Sequence, residues 1–185
     1  MEIANWLFWS FYVYRFDQND HNGPMVESKN AVDSSLPKVA VSACLLGWQT
    51  RFDGGHKRDR FISGPLSEHL DLRPLCPEYE LGLGTPRPTL RLVSLGAKSE
   101  APRLIEPKTG RDLSEDMHRY TQAKLDELAQ MDICGFIAMK GSPSCGMERV
   151  RVYLSVSDGA PNPVGRGAFL RALRERFPLL PIEEN

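Results

Sequence analysis

Four short apolar runs, each ended by turn-forming residues, mark out the chain after its first 36 residues. They span residues 39–43, 70–75, 135–139 and 178–182, the last of them ending at Glu183. Apolar runs of this length, bounded by turn signals, are typical of buried strands. The pattern therefore predicts four core strands, and a Gly- and Pro-rich stretch at 159–167 predicts a loop before the last one.

Helical patterns separate the four runs. Residues 59–70 are predicted to be helical, with an interruption at Gly64-Pro65, and a final helix is predicted over Ala168–Arg176. A longer helix is predicted from Asp112, which with Glu115 has the spacing of a capping box. Apolar residues at helical spacing mark its buried face: Leu113, Met117, Tyr120, Leu125, Leu128 and Met131. Alternating strands and helices predict an α/β fold, a small Rossmann-like three-layer domain with a parallel sheet of about four strands.

The composition fits one ordinary domain. The chain has 185 residues, of which 41% are hydrophobic and 25% charged, with a net charge of −1. A chain of this size buries enough apolar surface without disulfides, so its four cysteines need not be paired with one another, and we expect a cytoplasmic protein. Residues 140–176 carry seven basic and three acidic side chains. This excess fits an anionic partner such as phosphate or RNA, and a solvated surface is the alternative.

The first 36 residues differ from the rest. Residues 3–14 are strongly aromatic, yet too few to span a bilayer, and they lack the basic start and cleavage site of a signal peptide. Residues 17–36 are polar, acidic and punctuated by Gly and Pro. We expect residues 1–36 to be a flexible extension, with Met25 as the natural start, ahead of a domain over 37–185 that has no membrane association. An interfacial aromatic anchor is the weaker alternative, because Lys and Arg are scarce there.

Three cysteines each follow a predicted strand. Cys44, Cys76 and Cys145 are 32 and 69 residues apart, and no Cys-x-x-Cys pair occurs in the sequence. Ligands bind at the carboxyl ends of parallel strands, so three thiols delivered there predict a metal or cluster site. The wide spacing excludes a zinc finger and a thioredoxin-like pair, and leaves an iron–sulfur cluster or a zinc ion, each with an open position. Cys134 precedes its strand, so we expect it at the opposite edge as a small buried hydrophobe.

Polar residues next to these cysteines extend the predicted site. Glu78 lies two residues past Cys76 and is a candidate general acid/base, with a surface carboxylate as the alternative. Ser142 and Ser144 are candidates for substrate contacts, although serines beside a proline more commonly bond within their own turn. The alternative for the cysteines is that all four are buried free thiols. His56, after two glycines, is predicted to be a surface turn residue.

Five ordered motifs together resemble the thiouracil desulfidase family: residues 42–47 (SACLLG), 51–57 (RFDGGHK), 76–78 (CPE), 84–87 (GTPR) and 142–146 (SPSCG). The similarity covers roughly residues 38–184. Residues 147–153 and 176–181 look like the branch that acts on 4-thiouridine in tRNA.

This resemblance implies a [4Fe-4S] cluster held by Cys44, Cys76 and Cys145. It also implies a catalytic acid/base at Glu78 and a substrate-contacting hydroxyl at Ser142. Many relatives carry a further cysteine where this chain has Thr50, which indicates that this position is not a ligand.

The resulting prediction is a desulfidase that converts 4-thiouridine, in tRNA or as a nucleotide, to uridine with release of sulfide and no redox change. Ser144 is expected to bind substrate, and Arg87, Arg149 and Arg151 to hold a phosphate, with surface salt bridges as the alternative. The alternative hypotheses for its function are a 2-thiouracil desulfidase acting on the free base, a non-enzymatic iron–sulfur sensor or sulfur carrier, and a zinc hydrolase. Monomer and homodimer are both left open.

Overall fold

The computed structural model describes residues 36–94, 101–156 and 162–185. The predicted extension therefore lies almost wholly outside the described residues. In chain order the strands and helices are β1 (Lys38–Ser42), β2 (Asp71–Leu75), β3 (Arg91–Val93), β4 (Arg103–Glu106), β5 (Arg111–Asp112), α1 (Ser114–Met131), β6 (Gly135–Ala138), β7 (Val150–Tyr153), β8 (Asn162–Gly165), α2 (Ala168–Arg176) and β9 (Ile182–Glu184).

A four-stranded parallel sheet carries the fold, in the order β2-β1-β6-β9. These are the four strands that the apolar runs predict, and the α/β prediction is confirmed. In the central strand, Val41 lies opposite Pro74 on one side and Ile137 on the other. The strand order reverses between β1 and β6, which makes this the switch point where ligands of open α/β sheets bind.

The two faces of this sheet bury different residues, because neighbouring strand residues point to opposite sides. Ala40 and Phe136 belong to the larger core, together with Leu125 of α1 and Phe169 of α2. The other face packs Val41 and residues near it against short turns, in a smaller cluster with Cys44, Leu45 and Ile62. One face is thus covered by helices and the other by turns.

The helices differ in part from prediction. The helix over Ala168–Arg176 is confirmed, and α1 buries Met117, Leu125 and Leu128 as expected. However, α1 begins at Ser114, because the Asp112 carboxylate accepts the Ser114 N–H at 2.9 Å.

The helix predicted over 59–70 is wrong. The Asp59 carboxylate accepts the N–H groups of Phe61 and Ile62, which closes turns, and the remainder is a single 3-10 turn, Pro65–Glu68. The last strand starts later than predicted, at Ile182, since Pro181 has no N–H to donate to a ladder.

A second sheet, which the apolar pattern does not predict, extends the core. It has five strands in the order β5-β4-β3-β7-β8, and β3 and β7 form its one parallel pair among the described residues. Leu92, Leu104 and Val152 join it to the core of the parallel sheet. The loop predicted over 159–167 is wrong for residues 162–165, which form β8. Within the described ranges, none of the helices is long and apolar enough to cross a membrane.

Candidate metal centre

Three cysteines meet at the carboxyl edge of the parallel sheet. Cys44 lies in the 3-10 turn Ala43–Leu46 directly after β1, Cys76 follows β2, and Cys145 lies in the loop after β6. All three line one cavity of about 190 Å³, so residues 32 and 69 positions apart in the chain are brought together. The cavity lies at the switch point between β1 and β6, as expected for a ligand site in this topology.

The loop that carries Cys145 is held tightly. The Ser142 Oγ accepts the N–H groups of Ser144 and Cys145 at 3.2 and 3.0 Å. Gly167 packs directly on this loop, where a Cβ would lie 2.3 Å from the Ser144 carbonyl oxygen. Glycine is therefore required at 167, and the position of the Cys145 thiol is set before anything binds.

The three thiols are electrostatically coupled. Burial, and then the neighbouring Cys76, raises the pKa of Cys44 to about 11. Burial also raises the pKa of Cys76, while the nearby Thr50 side chain, which can donate to a thiolate, lowers it by less. The pKa of Cys145 is raised well above its ordinary value by burial and then by Cys76. Ligand cysteines must be thiolates, so these residues would have to lose their protons in order to bind a metal centre.

The donor set can be compared with what two kinds of metal centre require. In the part of the chain that the structure describes, no three His, Cys, Asp or Glu side chains are grouped closely enough to hold one metal ion. A single zinc ion needs its ligands in one tetrahedral shell. An iron–sulfur cluster places each cysteine on a different iron, so its ligands stand further apart around a larger volume. Three thiols around one shared cavity match the cysteine ligands that such a cluster takes.

A carboxylate shares the cavity with the thiols. Glu78 is 9% exposed and lines the cavity two residues past Cys76. Its Oε2 accepts from Nη2 and Nε of Arg87 at 2.7 and 3.2 Å, and its Oε1 accepts from the Ser144 hydroxyl at 2.9 Å. The carboxylate is thus held in one orientation by an ion pair and a buried hydroxyl.

Arg87 and Ser144, which are predicted to bind substrate, both donate hydrogen bonds to Glu78 in this structure. The Arg87 side chain is 5% exposed, and it also donates to the carbonyl oxygens of Gly84 and Thr50 at 2.8 and 2.9 Å. Ser144 is fully buried, and its hydroxyl is used by Glu78. Because their donors are directed at the protein, both residues are placed to orient Glu78.

The other predicted site residues are divided between cavity and surface. Ser142 lines the cavity. Arg149 and Arg151 are exposed side chains that are not part of its lining, Arg149 with a φ of 54° and Arg151 on β7. Their contact with a phosphate stays a prediction.

Sequence reasoning missed several residues at the mouth of the cavity. Arg51, Phe52 and Lys140 line it, and Phe52 is 39% exposed. The Arg51 guanidinium lies over the Phe52 ring at 5.3 Å and pairs with Asp53 at 3.2 Å. The motif at 51–57, in which basic and aromatic residues adjoin a Gly-Gly turn, could have indicated Arg51 and Phe52.

Cys134 lies at the opposite edge, as the sequence predicts, but its predicted burial is wrong. Its N–H donates to the carbonyl oxygen of Lys38, the first residue of β1, and its side chain is exposed. The turn after α1, with Asp132 in the left-handed conformation, brings it to the surface. His56 is exposed, with its Nδ1 accepting the Arg58 N–H at 3.1 Å, which agrees with a surface turn.

The fold and these side chains define an α/β protein with three thiols and a clamped carboxylate at the switch point of a parallel sheet. The chain belongs to the 2-thiouracil desulfurase family, whose family model matches residues 39–185. A solved structure titled [4Fe-4S]-dependent thiouracil desulfidase TudS is similar to it, with a TM-score of 0.63 and 27% sequence identity. The match covers 80% of this chain and 91% of TudS. Among curated protein sequences, none matches this chain significantly.

Proposed function

We propose that this protein is a [4Fe-4S]-dependent desulfidase that removes sulfur from thiolated uracil, with 4-thiouridine, in tRNA or as a nucleotide, as its substrate. The products are uridine and sulfide. The observation that carries this proposal is the convergence of Cys44, Cys76 and Cys145 on a cavity that also contains the Glu78 carboxylate. The family match and the similarity to TudS support the same reaction class.

The three cysteines are the ligands in this proposal. Three thiolates on a cluster of four irons leave one iron without a cysteine. When bound, such a cluster supplies a Lewis-acidic, sulfur-binding position. The donor chemistry fits, because soft thiolates are the ligands that iron–sulfur clusters take, and here two of the three cysteines are buried and all three line one cavity.

Glu78 acts as the general base. Each carboxylate oxygen has two lone pairs, and Oε1 uses one of them to accept from Ser144. The other remains for a water molecule in the cavity, whose proton Oε1 takes as the water attacks the carbon of the C=S group. Arg87 and Ser144 keep that oxygen aimed, which contributes to catalysis through orientation.

Ser142 orients the substrate. Its Oγ already accepts two backbone N–H groups, so its own O–H is free to donate to the pyrimidine ring. A fixed donor of this kind stabilises charge that develops on a ring oxygen or nitrogen during attack. In the net reaction one water adds its oxygen to carbon, the C–S bond breaks, and sulfur leaves as hydrogen sulfide, with no change in electron count.

The size and rim of the cavity favour a nucleotide or RNA substrate. A volume of about 190 Å³ is below the usual range for pockets that enclose whole ligands, and the cluster is proposed to share it, so the sugar and phosphate of a nucleotide would stay outside. Arg51 and Lys140 supply positive charge at the rim, and Phe52 supplies an exposed ring. Arg149 and Arg151 are proposed to contact phosphates further along an RNA backbone. Added salt should then weaken RNA binding steeply.

The proposal is tested by anaerobic reconstitution followed by assay of three substrates side by side. These are tRNA that contains 4-thiouridine, 4-thiouridine monophosphate and 2-thiouracil. We expect sulfide release from the 4-thio substrates, fastest from tRNA at low salt. If 2-thiouracil is the one compound turned over, the substrate is the free base and not a 4-thio nucleotide. A cluster without turnover of any of them would favour a sensor or sulfur carrier.

A further inference from the structure

Thr50 has a buried hydroxyl without a protein partner. Thr50 is 5% exposed, and its Oγ1 makes no hydrogen bond within the described structure. Leaving a buried hydroxyl unpaired destabilises a fold, so such groups call for a ligand or another explanation. Thr121 on α1 is the other described residue with a buried, unpartnered side-chain oxygen.

The position of Thr50 points to its missing partner. It lines the cavity that contains the three cysteines. Its carbonyl oxygen accepts from Nη2 of Arg87 at 2.9 Å and lies 3.7 Å from the Sγ of Cys76. The residue is therefore fixed between the arginine that orients Glu78 and one of the proposed ligand sulfurs.

We infer that Thr50 donates a hydrogen bond from Oγ1 to the Sγ of Cys76 when that sulfur is a thiolate ligand. This inference rests on the proposed function. It makes Thr50 a positioning residue of the metal centre, because a hydrogen bond to a ligand sulfur stabilises its negative charge and raises the reduction potential of a bound cluster. It also gives the buried Thr50 hydroxyl a hydrogen-bond partner.

The test compares Thr50→Val with Thr121→Val, since valine keeps the shape of threonine and removes the oxygen. In the apoprotein, both variants should have a Tm equal to or above that of wild type, because each removes an unpaired buried hydroxyl. In the reconstituted holoprotein, Thr50→Val should lose its cluster to a chelator roughly tenfold faster, as for a lost hydrogen bond to a charged group. Its reduction potential should also become more negative, while Thr121→Val should match wild type in both measurements.

Thr50→Ser, which restores the hydroxyl, should recover the wild-type cluster lifetime and potential. The inference is overturned if Thr50→Val keeps both wild-type values, or if Thr50→Ser is as labile as Thr50→Val. A raised KM with an unchanged cluster would also overturn it, because the hydroxyl would then serve the substrate. If wild-type protein takes up no iron and sulfide, the proposed function fails as well. A normal cluster that is insensitive to Thr50→Val overturns this inference alone.

Discussion

Cysteine side chains have opposite environments at the two edges of the parallel sheet. At the carboxyl edge, Cys44 and Cys145 are 8% and 4% exposed, lie in one cavity with Cys76, and have raised pKa values. At the amino edge, Cys134 is exposed, and its Sγ lies 3.9 Å from the Asp132 carbonyl oxygen. Since the residue type is the same, topology decides the chemistry: loops after parallel strands converge at the switch point, whereas Cys134 lies in the loop that enters β6.

The largest expected effect comes from removing single cysteines at each edge. Replacing Cys44, Cys76 or Cys145 by alanine should abolish cluster assembly and all turnover, since each is proposed to bind a different iron. Cys134→Ala should leave iron content, sulfide content and turnover at wild-type values. Iron and sulfide analysis after anaerobic reconstitution checks both statements, and a full cluster in Cys76→Ala would contradict the ligand assignment.

The second-largest loss of turnover is expected for Glu78→Gln, which removes the base and keeps the shape of the side chain. General base catalysis contributes about 10²- to 10⁴-fold, so turnover should fall within that range. The cluster should remain, as Glu78 is not a ligand in this account. Asp132→Asn at the amino edge is the matched control, with turnover close to wild type. A variant Glu78→Gln that turns over normally would remove Glu78 from the mechanism.

Arg87 should matter for stability as well as for orientation. Its removal leaves the buried Glu78 carboxylate without its ion pair, which costs about 3–5 kcal/mol of unfolding free energy. At the amino edge, Lys38 donates from Nζ to the Met131 carbonyl oxygen at 3.1 Å, and Lys38→Met should cost about 1 kcal/mol. Urea denaturation of Arg87→Met and Lys38→Met measures the difference. Equal losses for the two variants would show that the Glu78–Arg87 pair is not buried as described.

The smallest expected effect is on thiol reactivity in the apoprotein. The pKa of Cys44 is raised from 9.0 to about 11, so near pH 8 its thiolate population is roughly 100-fold below that of an unperturbed thiol. Alkylation of Cys44 should be slow and should rise about tenfold per pH unit up to pH 11. Cys134, which is exposed, should be alkylated first, as measured by mass spectrometry of peptides. Faster alkylation of Cys44 than of Cys134 would contradict the difference between the two edges of the sheet.

The sequence predicts the parallel sheet well and the rest of the fold less well. Strands β1 and β6 are mostly apolar, β2 combines Leu72 and Leu75 with Asp71 and Arg73, and each strand leads into a cysteine motif. Both the strands and the edge where the thiols meet therefore follow from the pattern. The second sheet has strands of two to four residues, such as Arg111–Asp112, too short and too polar to show a period. Their pairing is decided by contacts distant in sequence.

The candidate site shows a similar division. Glu78 could be found because it adjoins Cys76, but its ion pair with Arg87 depends on how the loop between them folds back. Ser144 is buried and bonded to Glu78, and Arg51 and Lys140 line the cavity, although no local pattern distinguishes these two basic residues from Arg149. Residue type therefore indicates the chemistry, and the loops decide which residue performs it.

The most direct test of the central claim is Mössbauer spectroscopy of protein reconstituted with ⁵⁷Fe. Three cysteine ligands at the carboxyl edge should give a [4Fe-4S] spectrum in which one iron site is distinct, and this site should change when 4-thiouridine monophosphate is added. Four equivalent irons, or a protein that binds zinc in place of the cluster, would contradict the account.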